Sequence, residues 1–194
     1  MYNYVINSTV IPSTKHVWKV KVPLKIKVFM WFVHKQVILT KDNLVKRNWT
    51  GSTRCSFYDQ DETIKHLFLG CPLARILWRT VQIAFNITPP STVGSLFGMW
   101  LDGIESDTAR HIRVGVYALL WAIWNCRNDL VFNRTTNIHF LQVIFRATVL
   151  IRMWSLLTPT EASERLVTGS IRWEMVAWDI FNRFGWRSCN RIGF

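Results

Sequence analysis

The sequence is poor in the residues from which disulfide scaffolds and most hydrolytic or nucleotidyl-transfer sites are built. Four cysteines in 194 residues are too few for a disulfide framework at this length. The N-terminus, Met-Tyr-Asn-Tyr-Val-Ile-Asn, lacks the charged start and long apolar middle of a secretory signal. The thiols are therefore expected to be free or metal-bound in a reducing compartment, nuclear or cytoplasmic rather than secreted. Acidic residues are scarce, 12 in all and scattered, whereas two-metal phosphoryl transfer needs clustered carboxylates. Tyr58-Asp59-Gln60-Asp61 shares letters with a polymerase Tyr-x-Asp-Asp motif but not its spacing. There is no Gly-rich phosphate loop and no Gly-x-Ser-x-Gly elbow. His16, His34, His111 and His139 stand apart from one another, and Cys126 and Cys189 read as buried or incidental thiols. These gaps argue against an enzyme. Long apolar runs are missing too. The longest, Val114 to Trp124, has 11 residues between Arg113 and Arg127, short of the ~20 needed to span a bilayer, so no membrane association is expected.

Hydrophobic residues, by contrast, make up 49% of the chain, and 11 are tryptophan. That is enough apolar surface for a sizeable core, with indoles expected at helix interfaces. The net charge is +12, and it is unevenly placed. Residues 1–50 carry eight Lys and one Arg against one Asp, a balance of +8, and every lysine except Lys65 precedes Arg47. Such a basic third is the electrostatic footprint of a polyanion partner, most often nucleic acid. Lys19, Lys21, Lys25, Lys27, Lys41, Lys46 and Arg47 are the candidate phosphate contacts. A solvated lysine face that only aids solubility is the competing reading. Trp18, Trp31 and Trp49 are candidates for stacking on bases, with burial favoured for Trp31.

Hydrophobic spacing predicts a mainly α chain: a small helical, zinc-knuckle-like domain over 18–88, then a helical hairpin region over 96–194. Residues 1–17 read as an extended or disordered lead-in. Val17 to Val22 alternates weakly, as a short strand or the approach to a helix. Pro23 suits a first helical position, and Ile26, Phe29, Met30, Val33 and Val37 fall at helical spacing over about 23–36. Thr40 reads as the N-cap of a short helix over about 41–47. Cys71-Pro72 is a helix entry, followed by an apolar stripe of Leu73, Leu77, Val81, Ala84 and Phe85. Asn86 to Ser95, with two prolines and small polar residues, marks a boundary. A helix over about 108–132 is apolar nearly all round and should be buried. Arg127, Asn128 and Asp129 near its end are read as capping and ion-pairing groups rather than a contact site. Phe140, Val143, Ile144, Ala147, Leu150, Ile151, Trp154 and Leu157 form a clean amphipathic stripe. Thr160 to Gly169 reads as a polar link before a last short helix, Trp173 to Phe184, and a basic tail with Arg183, Arg187 and Arg191.

The chemistry-bearing stretch is Cys55 to Trp78. Cys55 lies eleven residues before His66, and His66 five before Cys71. Thiolate and imidazole within one short segment are what a tetrahedral zinc site takes. Tyr58 stands where a Cys-x2-Cys knuckle would place its second cysteine, leaving Cys55, His66 and Cys71 as candidate ligands, with Asp59 and Asp61 near in sequence. Trp18, Pro23, Lys25, Phe29, Trp31, Leu39, Thr40 and Leu44, then Cys55, Glu62, Thr63, His66, Leu67, Phe68, Cys71, Ala74 and Trp78, make up a longer pattern. It resembles the zinc-binding domain downstream of reverse transcriptase in plant non-LTR retrotransposons, over about a third of the chain. Leu120 to Asp129 also resembles the tail region of such elements, which leads there towards a ribonuclease H domain, expected to be absent here. The resemblance implies zinc as cofactor, weakened here by Tyr58. Two readings stay open: a weakened site that still takes zinc, and a decayed site whose Cys55, His66 and Cys71 are core and loop residues. The expected function is non-catalytic nucleic-acid binding, to DNA or RNA, through the basic third. The alternatives are a structural module of a retroelement polyprotein with a helical protein partner, and a decayed fragment without selected function.

Overall fold

The computed structural model describes residues 15–97 and 99–184. Seven α-helices carry the fold: α1 (Lys15–Lys19), α2 (Leu24–His34), α3 (Lys41–Val45), α4 (Pro72–Phe85), α5 (Ser106–Val131), α6 (Phe140–Ser155) and α7 (Thr160–Phe184). A single π-helical turn, His66–Gly70, leads into α4, and two 3-10 turns, Ser95–Phe97 and Met99–Leu101, precede α5. No strand forms among the described residues; Arg54 and Asp61 make one isolated antiparallel bridge. The chain is mainly α, as the spacing predicts.

Local chemistry sets the helix ends. Pro72 occupies the first turn of α4, where its missing N–H has no partner to lose. Asn86 ends that helix in the left-handed region (φ 54°), a conformation asparagine tolerates better than most residues. Glu105 caps α5, its carboxylate accepting the N–H groups of Asp107 and Thr108 at 2.8 Å each. Those hydrogen bonds hold the Glu105 carboxyl below the ordinary carboxylate range. Thr40 precedes α3 as predicted. Its hydroxyl, however, donates to Asp42 Oδ1 at 2.5 Å instead of accepting a free helix N–H.

The C-terminal half is a three-helix layer in which α6 packs against both α5 and α7, and α4 packs on α7. Val114, Ala118, Leu120, Ala122 and Ile123 of α5 are buried, as expected of a helix apolar nearly all round. One predicted division fails. Residues 160–169 are not a polar link but the first turns of a single 25-residue α7. Leu166, Ser170, Trp173 and Ala177 form its buried stripe at helical spacing, and a Cβ added at Gly169 would meet only the Phe85 ring, at an ordinary van der Waals distance of 3.7 Å. A glycine costs a helix about 1 kcal/mol, and tertiary burial of that stripe outweighs it. The indole of Trp173 donates to Thr80 Oγ1 at 2.7 Å, fixing α7 to α4 at a buried polar pair. Val17 to Val22 is not a strand: Lys15–Lys19 is a helical turn, so the lead-in is helical where it is described. Residues 1–14, and Arg187, Cys189 and Arg191 of the expected tail, lie outside the described residues.

The segment 86–95 contains no helix apart from the start of a 3-10 turn at Ser95. The core nevertheless continues past it. Phe29 of α2 lies edge-on to Trp121 (4.9 Å between centroids) and near Trp124 (6.0 Å), both on α5.

Candidate metal centre

The segment after α3 is a hairpin-like knuckle. Glu62 N–H donates to Thr53 O at 2.9 Å, and Cys55 N–H to Gln60 O at 2.7 Å. These bonds close residues 53–62 into a narrow loop whose tip carries Tyr58 and Asp59. Cys55 sits at its base, and the N–H of Phe57 points at Cys55 Sγ at 3.4 Å. Phe57 itself packs against the core, which holds that N–H in place. His66 begins the π-helical turn, and Cys71 is the residue that caps α4. The wider π turn absorbs one extra residue before Pro72, and Cys71 N–H closes it onto His66 O at 2.6 Å.

The ligand-type atoms of Cys55, His66 and Cys71 lie within 4.8 Å of one another, and all three residues are buried. Ligands about 2.0–2.3 Å from a common zinc ion would be separated by roughly 3.3–3.8 Å, so the three need move little to share one ion. His66 Nε2 is buried and has no hydrogen-bond partner among the described residues. A buried, unpaired imidazole nitrogen costs free energy unless something takes its lone pair or proton, and two sulfurs lie beside it. The residues present therefore fit a soft divalent cation. The neighbouring Cys71 thiol, and secondarily the His66 ring and the Phe57 N–H, hold the Cys55 thiol below its ordinary range. Cys71, beside the Cys55 sulfur and buried, is held well above the ordinary thiol range.

The two acids near in sequence are turned to other partners. Asp59 faces Arg54 at 3.4 Å, and Asp61 accepts from the Thr53 hydroxyl at 2.7 Å. Tyr58 is 41% exposed at the loop tip. Among the described residues the cluster is Cys55, His66 and Cys71 alone.

Sequence reasoning missed the group that ties this knuckle to the rest of the fold. Glu62 is fully buried and grips Arg127 of α5: Oε1 accepts from Nη2 at 2.7 Å, and both oxygens lie 3.1 Å from Nε. Oε1 also accepts the Lys41 N–H at 3.0 Å, at the start of α3. Arg127 stacks over Trp124, 5.1 Å from the ring centroid, and reaches Asn128 Oδ1 at 3.0 Å. The ion-pairing role expected near the end of α5 is there, and its partner lies 65 residues back in the chain. Trp78, next to the α4 stripe, seals the inner side: its indole donates to Phe68 O at 2.8 Å.

The candidate phosphate contacts divide. Lys25 lies over Trp121 at 6.0 Å, and Lys27 Nζ donates to Trp18 O at 2.8 Å. Lys41 Nζ bonds Arg54 O on the knuckle. Lys46 faces Asn43 and Asp42. Lys19, Lys21 and Arg47 are exposed. Trp18 is 44% and Trp49 39% exposed, while Trp31 is half-buried. The Trp49 ring lies over Gly51 so closely that a Cβ there would fall 2.0 Å from it.

Comparison with known proteins points the same way. The family described as zinc-binding in reverse transcriptase matches residues 1–78. An Arabidopsis thaliana protein named as a ribonuclease H protein is 31% identical over 62 residues, which is 31% of this chain and 10% of the relative. The chain thus aligns with about a tenth of that relative's length. No solved structure matches. Residues 1–78, knuckle included, thus match a reverse-transcriptase zinc-binding domain of retroelement type.

Proposed function

We propose that this chain is a non-catalytic nucleic-acid-binding protein whose knuckle takes zinc and whose basic N-terminal third contacts phosphates. The supporting observation is the basic surface itself. Lys19, Lys21 and Arg47 are exposed and form no ion pair among the described residues, so their charge is available to a polyanion. Lys41 links that surface to the knuckle, through its backbone to Glu62 and its side chain to Arg54 O. Trp18 and Trp49 offer exposed ring area for stacking on single-stranded bases. Phosphate neutralisation by lysine and arginine gives affinity that falls with salt and tolerates any sequence.

The test is fluorescence anisotropy of labelled single-stranded DNA and RNA across a salt series. Charge reversal at Lys19, Lys21 and Arg47 should weaken binding to every sequence alike. It should also flatten the log–log salt slope by about 0.7 for each single-strand phosphate that the variant no longer neutralises. Affinity indifferent to all three reversals would refute the basic-surface reading.

A second reading, docking of a helical protein partner, draws on a different face. Val149 and Met153 of α6 with Leu156 at its C-cap, and Ile171, Met175 and Trp178 of α7, are large, exposed and spaced i, i+4, i+7 in each row. Phe145 and Trp178 join the two rows, with ring centroids 5.9 Å apart. Association that is insensitive to salt and abolished by Met153→Lys and Met175→Lys would favour this reading.

A further inference from the structure

We infer that the metal site, with three protein ligands among the described residues, has a fourth coordination position that accepts an external thiolate. The inference rests on the zinc reading above and deepens it. Four observations converge. The cluster contains Cys55, His66 and Cys71 and no further Cys, His, Asp or Glu among the described residues. The residue at the second knuckle position, Tyr58, is carried out at the loop tip, 41% exposed. Both nearby carboxylates are engaged away from the cluster, Asp59 with Arg54 and Asp61 with Thr53. The knuckle nonetheless keeps its working shape, because the Phe57 N–H still points at Cys55 Sγ and His66 Nε2 is still unpaired among the described residues.

A zinc ion held by three protein groups completes its tetrahedron with an exchangeable ligand, water in the simplest case. A small thiol is the ligand class that suits a soft cation already bound to sulfur. Cys55, His66 and Cys71 would hold the ion while an entering thiol gave its proton to solvent and its sulfur took the place of the water, with no change of oxidation state. Cys55 and His66 keep 8% and 9% of their surface exposed, next to the exposed loop tip at residues 58–60, and that is the side from which a small ligand would enter. Tyr58→Cys would restore a thiol at the second position of the Cys-x2-Cys spacing, from which the loop can offer a protein ligand.

The experiment uses the full chain loaded with Co(II), whose visible absorption reports coordination number and sulfur ligation. The probe is 2-mercaptoethanol, a monothiol. The wild type should show a saturable rise in sulfur-to-metal charge-transfer absorption with one added thiol per metal. Tyr58→Cys should start at the thiol-saturated spectrum and not respond. Its zinc affinity should also rise by at least about tenfold, since even an outer-shell partner is worth about 10–100-fold. Tyr58→Phe, Asp59→Asn and Asp61→Asn should behave as wild type, and each keeps the test valid if Tyr58→Cys folds poorly. Metal bound with no thiol response, or a spectrum altered by Tyr58→Phe, Asp59→Asn or Asp61→Asn, overturns the inference and leaves the zinc reading standing. Failure to bind Co(II) or zinc at all overturns both.

Discussion

Replacing Arg127 with methionine should cost this protein about 3–5 kcal/mol, the range seen when one member of a buried ion pair is removed. The magnitude follows from what is left behind. Glu62 has no exposed surface, and its Oε1 would keep only the Lys41 N–H at 3.0 Å. The hydrogen bonds from Arg127, at 2.7–3.1 Å, would be gone. The methionine stem preserves most of the packing against Trp124, so the penalty is electrostatic rather than a cavity. Against a domain stability of about 5–15 kcal/mol, that is a third or more of the total. Urea denaturation followed by far-UV circular dichroism measures it. The double variant Glu62→Leu/Arg127→Met is the control. With both charges gone, most of the stability should return, because a buried pair replaced by apolar groups is often neutral. A destabilisation under about 1 kcal/mol for Arg127→Met, or a double variant showing the sum of two large single effects, would refute the argument that this pair joins the knuckle to α5.

Trp173→Phe should cost about 1–3 kcal/mol, because a buried hydrogen bond is lost: the Thr80 oxygen no longer accepts the indole N–H at 2.7 Å and keeps only its own donation to Leu77 O at 2.7 Å; Thr80→Val beside it should show the two effects to be non-additive. Glu105→Ala should lower the melting temperature at neutral pH and not in acid. The folded carboxyl titrates below its ordinary range, so its stabilisation is present above that range and is lost as pH falls through the folded value. Adding a chelator to the zinc-loaded chain should lower its melting temperature, and should leave unchanged that of a Cys55→Ser/Cys71→Ser variant; calorimetry in the presence of EDTA measures both.

Long helices with strong periodicity were legible because their buried stripes are local. The α4 stripe from Leu73 to Ala84 and the α6 stripe from Phe140 to Trp154 can be read within a few turns of chain, and both are buried. The first half of α7 was illegible for the opposite reason. Thr160, Ser163, Thr168 and Gly169 have loop composition, and what makes that stretch helical is Leu166 and Ser170 continuing a stripe whose partners lie on α4 and α6. The candidate metal ligands were readable from spacing, since cysteine and histidine at short separations carry their chemistry in their identity. Glu62 was visible only as a letter in a pattern. Its partner is 65 residues away, and nothing in one sequence says that an acid in a loop and an arginine near a helix end will meet.

That pairing also changes how the knuckle should be regarded. A knuckle closed by zinc alone would be held by its ligands, and the absence of one cysteine would then be decisive. This knuckle is held three further ways: by the Glu62–Arg127 pair, by Lys41 donating from α3, and by Trp78 closing over Phe68 O. The scaffold that positions Cys55, His66 and Cys71 is therefore built by packing and buried hydrogen bonds. A site preorganised in that way tolerates an incomplete ligand set, because metal binding need not supply the folding free energy that it supplies in small zinc fingers. It follows that Arg127→Met should weaken metal binding although Arg127 touches no ligand, whereas Trp173→Phe, on the far side of α4, should not. Equal effects of the two variants on zinc affinity would show that global stability, rather than this bracing, sets the site.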